Sequence, residues 1–155
     1  MGTLFKNGTI ITAGDLVPAD LLVEGETITT IGRNLSPAGH EVVDCTNRYL
    51  MPGGIDVHTH LELPFGGTVS NDDFDSGHKA AAFGGTTMHI DFVIQPKGGS
   101  LHDGLDQWRA KSKKAQIDYA FHMAITDLRD DVMAEIPSML DEGITSLKLC
   151  MAYKN

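Results

Sequence analysis

Cysteine is scarce in this sequence and basic residues are outnumbered. Cys45 and Cys150 lie far apart without motif spacing, which excludes a disulfide framework and reads as two reduced thiols. Twelve Lys and Arg stand against 21 Asp and Glu, a formal net charge of −9. With no basic stripe to track phosphates, nucleic acid is excluded as a partner. No apolar run approaches the ~20 residues that span a bilayer, and residues 1–5 lack the charged-then-apolar layout of a secretory signal. These absences point to a soluble, cytoplasmic enzyme without membrane contacts.

What is present concentrates in Pro52-Gly53-Gly54-Ile55-Asp56-Val57-His58-Thr59-His60. Side chains alternate faces along a strand, so His58 and His60 project from one side. Two neutral imidazoles one strand-step apart can grip one metal ion. A bare His-x-His is equally what two unrelated histidines near a strand end look like. Its setting favours the metal. A glycine-preceded apolar run leads in and a Gly- and Pro-rich loop, Leu63-Pro64-Phe65-Gly66-Gly67, follows. That is the layout of a barrel strand delivering ligands to its C-terminal end.

The chain divides near residue 51. Residues 1–50 read as short antiparallel strands. Asn7-Gly8 between Leu4-Phe5 and Ile10-Ile11 is a strong hairpin signal. Residues 21–23 pair with 27–31 through Glu24-Gly25-Glu26, residues 41–44 add a third strand, and 48–50 lead out. A β unit of this size is marginal alone. Residues 51–155 alternate strand and helix about every thirty residues, the size of a βα unit, with strands expected at 54–60, 86–92, 119–125 and 144–150. The intervening helices are expected at 72–83, capped by Asn71 and stopped by Gly84-Gly85; after the Ser100 cap, with Leu101, Leu105 and Trp108 on one side; and at 128–142. In the last, Val132, Ile136, Met139 and Leu140 face inward and Pro137 argues for a kink or break. Alternating βα units imply a parallel sheet. Its polar parity (Asp56, His58, His60; His89, Asp91; His122) is expected to face a barrel interior, its apolar parity the helices.

In the fourth strand Ser146, Lys148 and Cys150 share a face opposite Leu147, Leu149 and Met151. If the leucines pack on helices, Lys148 points inward, where an unpaired ammonium is costly and burial drives it towards the neutral amine. Two readings stay open. Lys148 snorkels to the mouth or pairs with Asp56 or Asp91; or its amine adds carbon dioxide to become a carbamate, an anion able to bridge two metals ~3.5–4 Å apart.

Taken in order, Gly53 to Glu62, Gly66-Gly67-Thr68-Val69 with Asp72-Asp73-Phe74, Ala80 to Thr87, Gln95 to Leu101, and Ser146-Leu147-Lys148 with Met151-Ala152-Tyr153-Lys154 closely resemble the dihydropyrimidinases and D-hydantoinases. The resemblance covers essentially the whole chain. It implies an amidohydrolase-type (βα)8 TIM barrel with a small β-sandwich built from both chain ends. On that reading residues 1–50 are the N-terminal strands of the sandwich and 51–155 the first four βα units. Four strands of eight make the chain an N-terminal fragment of the parent enzyme, itself inactive. The resemblance further implies two divalent metal ions, zinc expected, held by His58 and His60 and bridged by Lys148 carboxylated on its side-chain nitrogen. Tyr153 contacts the substrate and stabilises the oxyanion. The loop 61–74 gates the substrate's exocyclic group, with Leu63 and Phe65 lining it. Cys150 stands where an aromatic is expected in many hydantoinases, which widens the pocket. The implied activity is hydrolytic ring opening of a cyclic amide, a 5,6-dihydropyrimidine or 5-substituted hydantoin, to an N-carbamoyl amino acid. The parent is expected to be a homo-oligomer, a tetramer in the family.

Three rival readings stand beside this one. Allantoinase or dihydroorotase keeps the metals and changes the cyclic amide, but dihydroorotase-like chains usually place an arginine just beyond the second histidine, where Leu61-Glu62 stands here. A non-enzymatic scaffold of the same fold loses its ligands, whereas His58, His60 and Lys148 are present. A small stand-alone binding module leaves open sheet edges, an aggregation liability. The native substrate, the metal loaded, the ligands beyond Asn155 and the roles of His89 and His122 are not legible in the sequence.

Overall fold

The computed structural model describes residues 1–149, in two compact units that meet in sequence between Pro52 and Gly53. The first is a five-stranded sheet: β1 Thr3–Ile11, β2 Leu16–Glu24, β3 Thr27–Gly32, β4 Glu41–Asp44 and β5 Tyr49–Leu50. The hairpins β1–β2 and β2–β3 are antiparallel, but β4 and β5 both run parallel to β1. The unit is therefore mixed, not all-antiparallel. Asn7-Gly8 is not a turn either. β1 continues through it as a bulge, with the register against β2 shifting between Phe5 and Gly8. Asn7 takes a left-handed φ of 64°, which asparagine tolerates. The buried Asp20 carboxylate fixes this conformation by accepting the Asn7 N–H at 2.8 Å and the Leu35 N–H at 2.9 Å. The first of these bonds does most to hold Asp20 below the usual carboxylate range. The chain reverses instead at Thr12, whose N–H donates to the Asp15 carbonyl at 3.0 Å.

The second unit holds four parallel strands in the order β11-β10-β9-β6: β6 Gly54–Thr59, β9 Thr86–Ile94, β10 Asp118–Ile125 and β11 Leu147–Leu149. A two-stranded hairpin, β7 Pro64–Phe65 with β8 Thr68–Val69, projects from the loop after β6. Helices α1 Ser76–Phe83, α2 Leu101–Lys111 and α3 Asp130–Asp141 connect the strands, with a 3₁₀ turn, Ser112–Lys114, after α2. α1 starts later than the sequence suggests. Asp73 Oδ1 accepts the N–H groups of Asp75 and Ser76, so 72–75 form a turn and Asn71 is not the cap. At α2 the expected cap holds: Ser100 and Asp103 exchange side-chain bonds in a capping box. Pro137 sits inside α3 without breaking it, and Leu140 is exposed, leaving Val132 and Met139 as the buried residues of that helix.

The core lies on one side of this sheet, where Val93, Met123 and Ile125 of the central strands meet Leu101, Leu105, Trp108, Val132 and Met139 of the helices. α2 approaches β9 so closely that a Cβ at Gly104 would sit 2.9 Å from the Ile94 carbonyl oxygen. On the flanking strands the outward apolar residues Ile55, Val57, Leu147 and Leu149 are exposed among the described residues rather than covered by helices.

Candidate metal centre

β6 reaches the site irregularly. Asp56 lies beside His89 and Thr59 beside Asp91, so β6 carries one residue more than β9 between those pairs. Asp56 Oδ1 accepts the His58 N–H at 3.1 Å within this bulge. The rings of His58 and His60 stand edge to face, 5.1 Å between centroids. Both lie against Phe92, at 4.6 and 5.2 Å. From β11, Lys148 reaches over the same ring, its Nζ 4.2 Å from the Phe92 centroid and 3.4 Å from His58 Nε2. His58, His60 and Lys148, singled out in the sequence, are thus brought together. Phe92, which forms their common floor, was missed.

It was missed because β9 turns over relative to expectation. Phe92 faces the site, whereas His89 and Asp91 point to the helix side and are buried there. His89 meets His78 of α1, Nε2 to Nε2 at 3.2 Å. Asp91 accepts the N–H groups of Leu61 (2.8 Å) and Phe92 (2.6 Å) and the Trp108 indole N–H (3.4 Å). A polar residue with buried donors to satisfy can occupy the helix face as well as an apolar one, and side-chain parity alone does not distinguish the cases. His122 does face the site side, 4.7 Å from Phe92. Its ring is spent on structure: Nε2 lies 3.0 Å from the Val57 carbonyl and Nδ1 bonds the Ser146 hydroxyl, tying β10 to the backbone of β6.

Lys148 pairs with neither Asp56 nor Asp91 among the described residues. Asp56 serves the His58 N–H and Asp91 lies on the other face. A lysine over an aromatic face gains a cation–π contact, and the polar atom it meets at 3.4 Å is an imidazole nitrogen. Burial, then the charges of Lys148 and His58, push the His60 pKa down, so this imidazole is neutral. Among the described residues its Nδ1 is buried without a hydrogen-bond partner. Two imidazoles and a lysine facing one another without a carboxylate are a donor set that fits a divalent metal ion. Among the described residues no three His, Cys, Asp or Glu converge, so the two histidines form an incomplete ligand set for the four that zinc takes.

The remaining predicted residues divide. Leu63 packs against the helix-side core, while Phe65 is exposed on the β7–β8 hairpin, whose turn uses Gly66 and Gly67 at φ 61° and 80°. Cys150 and Tyr153 lie outside the described residues.

Over its whole length the chain is similar to D-hydantoinases and dihydropyrimidinases. It is 54% identical over 157 aligned residues to the D-hydantoinase of Geobacillus stearothermophilus, covering 100% of this chain and 33% of that one. The crystal structure of the dihydropyrimidinase from Brevibacillus agri superposes with a TM-score of 0.96 at 52% identity, over 100% of this chain and 34% of that one. A dihydroorotase structure matches at a TM-score of 0.61 and 17% identity over 96% of this chain and 42% of its own, a likeness of fold alone. No family model matches the chain. The chain spans about a third of the length of the curated relatives it matches.

Proposed function

We propose that the whole protein is a metal-dependent cyclic amidohydrolase that opens 5,6-dihydropyrimidines or 5-substituted hydantoins to N-carbamoyl amino acids. One observation carries the proposal: His58, His60 and Lys148, up to ninety residues apart in sequence, meet around Phe92 in a chain homologous throughout to D-hydantoinases. In this reading the four parallel strands begin a (βα)8 barrel and the first unit contributes to a small sandwich. The parent is a cytoplasmic homo-oligomer.

His58 and His60 hold one of two divalent ions, zinc by preference, through neutral imidazoles. Lys148 supplies the bridge. Its Nζ lone pair bonds the carbon of carbon dioxide, an N–H proton leaves to solvent, and a carbamate anion results. Divalent ions held there would supply hydroxide near neutral pH by lowering the pKa of a bound water. Phe92 closes the floor and excludes water beneath the ligands. Tyr153 donates its hydroxyl to the oxyanion as the ring amide is attacked, and Phe65 and Cys150 border the exocyclic group of the substrate, Leu63 anchoring the loop to the core instead.

The allantoinase and dihydroorotase readings fare less well, since the relatives at 41–54% identity are named hydantoinases and dihydropyrimidinases. A scaffold without metal has no use for the convergence of His58, His60 and Lys148. The test is turnover. The whole protein should open dihydrouracil or a 5-substituted hydantoin, lose that activity to a chelator and regain it with Zn²⁺. Activity indifferent to exhaustive chelation would refute the proposal.

A further inference from the structure

Metal-binding histidines are ordinarily aimed by a hydrogen bond on their second ring nitrogen. Among the described residues His60 makes no such bond: its Nδ1 is buried and without a partner there. The backbone beside the ring is fixed instead. The peptide joining His60 to Leu61 is gripped on both sides. Its carbonyl accepts the Ser70 hydroxyl at 2.9 Å, and its N–H donates to Asp91 Oδ2 at 2.8 Å. The grip continues along the loop. Ser70 Oγ accepts the Leu63 N–H at 2.8 Å, the Glu62 N–H donates to the Asp72 carbonyl at 2.9 Å, and Lys111 Nζ donates to the Glu62 carbonyl at 2.9 Å. Glu62 itself takes a left-handed φ of 48°, a conformation a non-glycine residue holds only where its surroundings insist.

We propose that Asp91 and Ser70 are positioning residues of the metal centre, aiming His60 through its C-terminal peptide rather than through its ring. The inference rests on the metal-centre reading above. Asp91 is suited to the task because it is completely buried, faces the N–H donors of Leu61, Phe92 and Trp108, and also meets the Thr59 side chain, next to His60 in sequence. Its Oδ1 serves Phe92 and Trp108 while its Oδ2 serves Leu61, so one carboxylate holds the floor of the site and the end of the ligand strand at once. An asparagine there has only one acceptor oxygen. Turned to the two donors on the Oδ1 side, it presents an NH₂ group to the Leu61 N–H and releases the clamp. Ser70 is exposed, and Ser70→Ala removes the carbonyl side of the grip without disturbing a core.

The experiment compares Zn²⁺ affinity of the whole protein, by competition with a chromogenic chelator, across Asp91→Asn, Ser70→Ala, Trp108→Phe and His60→Ala, with thermal stability measured alongside. Asp91→Asn and Ser70→Ala should each bind Zn²⁺ about 10–100-fold more weakly. Trp108→Phe removes a donor from Asp91 but leaves the Leu61 bond, and should lose stability with less than a twofold change in affinity. Should Asp91→Asn fail to fold, Ser70→Ala alone decides. Wild-type Zn²⁺ affinity in Ser70→Ala, with His60→Ala deficient, overturns the inference. So does a loss of affinity in Trp108→Phe equal to that in Asp91→Asn. Unchanged affinity in His60→Ala overturns the metal-centre reading itself, and this inference with it.

Discussion

His78 and His89 show how far single hydrogen bonds determine a residue's state. His78 Nδ1 accepts the N–H groups of Gln116 and Ile117, at 2.9 and 3.2 Å. Its proton is therefore on Nε2 and donated to His89 Nε2, so His89 carries its own proton on Nδ1. ¹⁵N shifts of the two rings should report opposite tautomers. Burial, then the neighbouring His78, push the His89 pKa down to about 4, against a smaller upward pull from Asp56. Because this lies below the unfolded value of ~6.5, the stability tied to neutral His89 is complete above pH ~6.5. It is lost as pH falls through about 4. The urea midpoint of the wild type should fall across that window, and His89→Leu should flatten the fall. A wild-type slope in His89→Leu would show that the pair does not titrate as described. The sequence marked both His89 and His122 as open. The structure engages each in hydrogen bonds, which no count of histidines reveals.

At the scale of elements, two bulges decide what spacing could not. In β1, Asp20 supports the Asn7 bulge from the neighbouring strand. Asp20→Ala leaves the Asn7 and Leu35 N–H groups without their acceptor and should cost about 2–3 kcal/mol in chemical denaturation; a change under 0.5 kcal/mol would deny it that role. Asn-Gly reads as a hairpin because both residues favour positive φ. Here only Asn7 uses that freedom, and a carboxylate thirteen residues away makes the difference. In β6 the extra residue between Asp56 and Thr59 likewise escapes a period-two reading, though the placement of His58 and His60 on one side survives it. Strand existence was legible for all four parallel strands because apolar runs and glycine stops mark them. The facing of β9 was not, since Asp91 and His89 owe their burial to partners far off in sequence. Gly104 belongs to this scale too. Gly104→Ala sets a methyl against the Ile94 backbone, which cannot swing aside as a side chain would. A loss of about 1–3 kcal/mol is expected, and an unchanged melting temperature would contradict the close approach of α2 to β9.

For the molecule as a whole, the first unit and the parallel-sheet unit each assemble from local signals, while the site assembles only through the sheet. β11 brings Lys148 to His58 because it lies in register beside β10, with Lys148 opposite Ala124. The sequence suggested this convergence through motif order, and the family likeness holds over the full chain. The central claim is that these residues hold metal through a lysine turned anionic. The most direct measurement is the metal content of the purified whole protein, wild type beside Lys148→Arg. Arginine remains a cation and cannot form the carbamate. The wild type should carry two divalent ions per chain and Lys148→Arg should lose the bridged pair along with ring-opening activity. Two metals and full activity retained in Lys148→Arg, or no metal in the active wild type, would contradict the account.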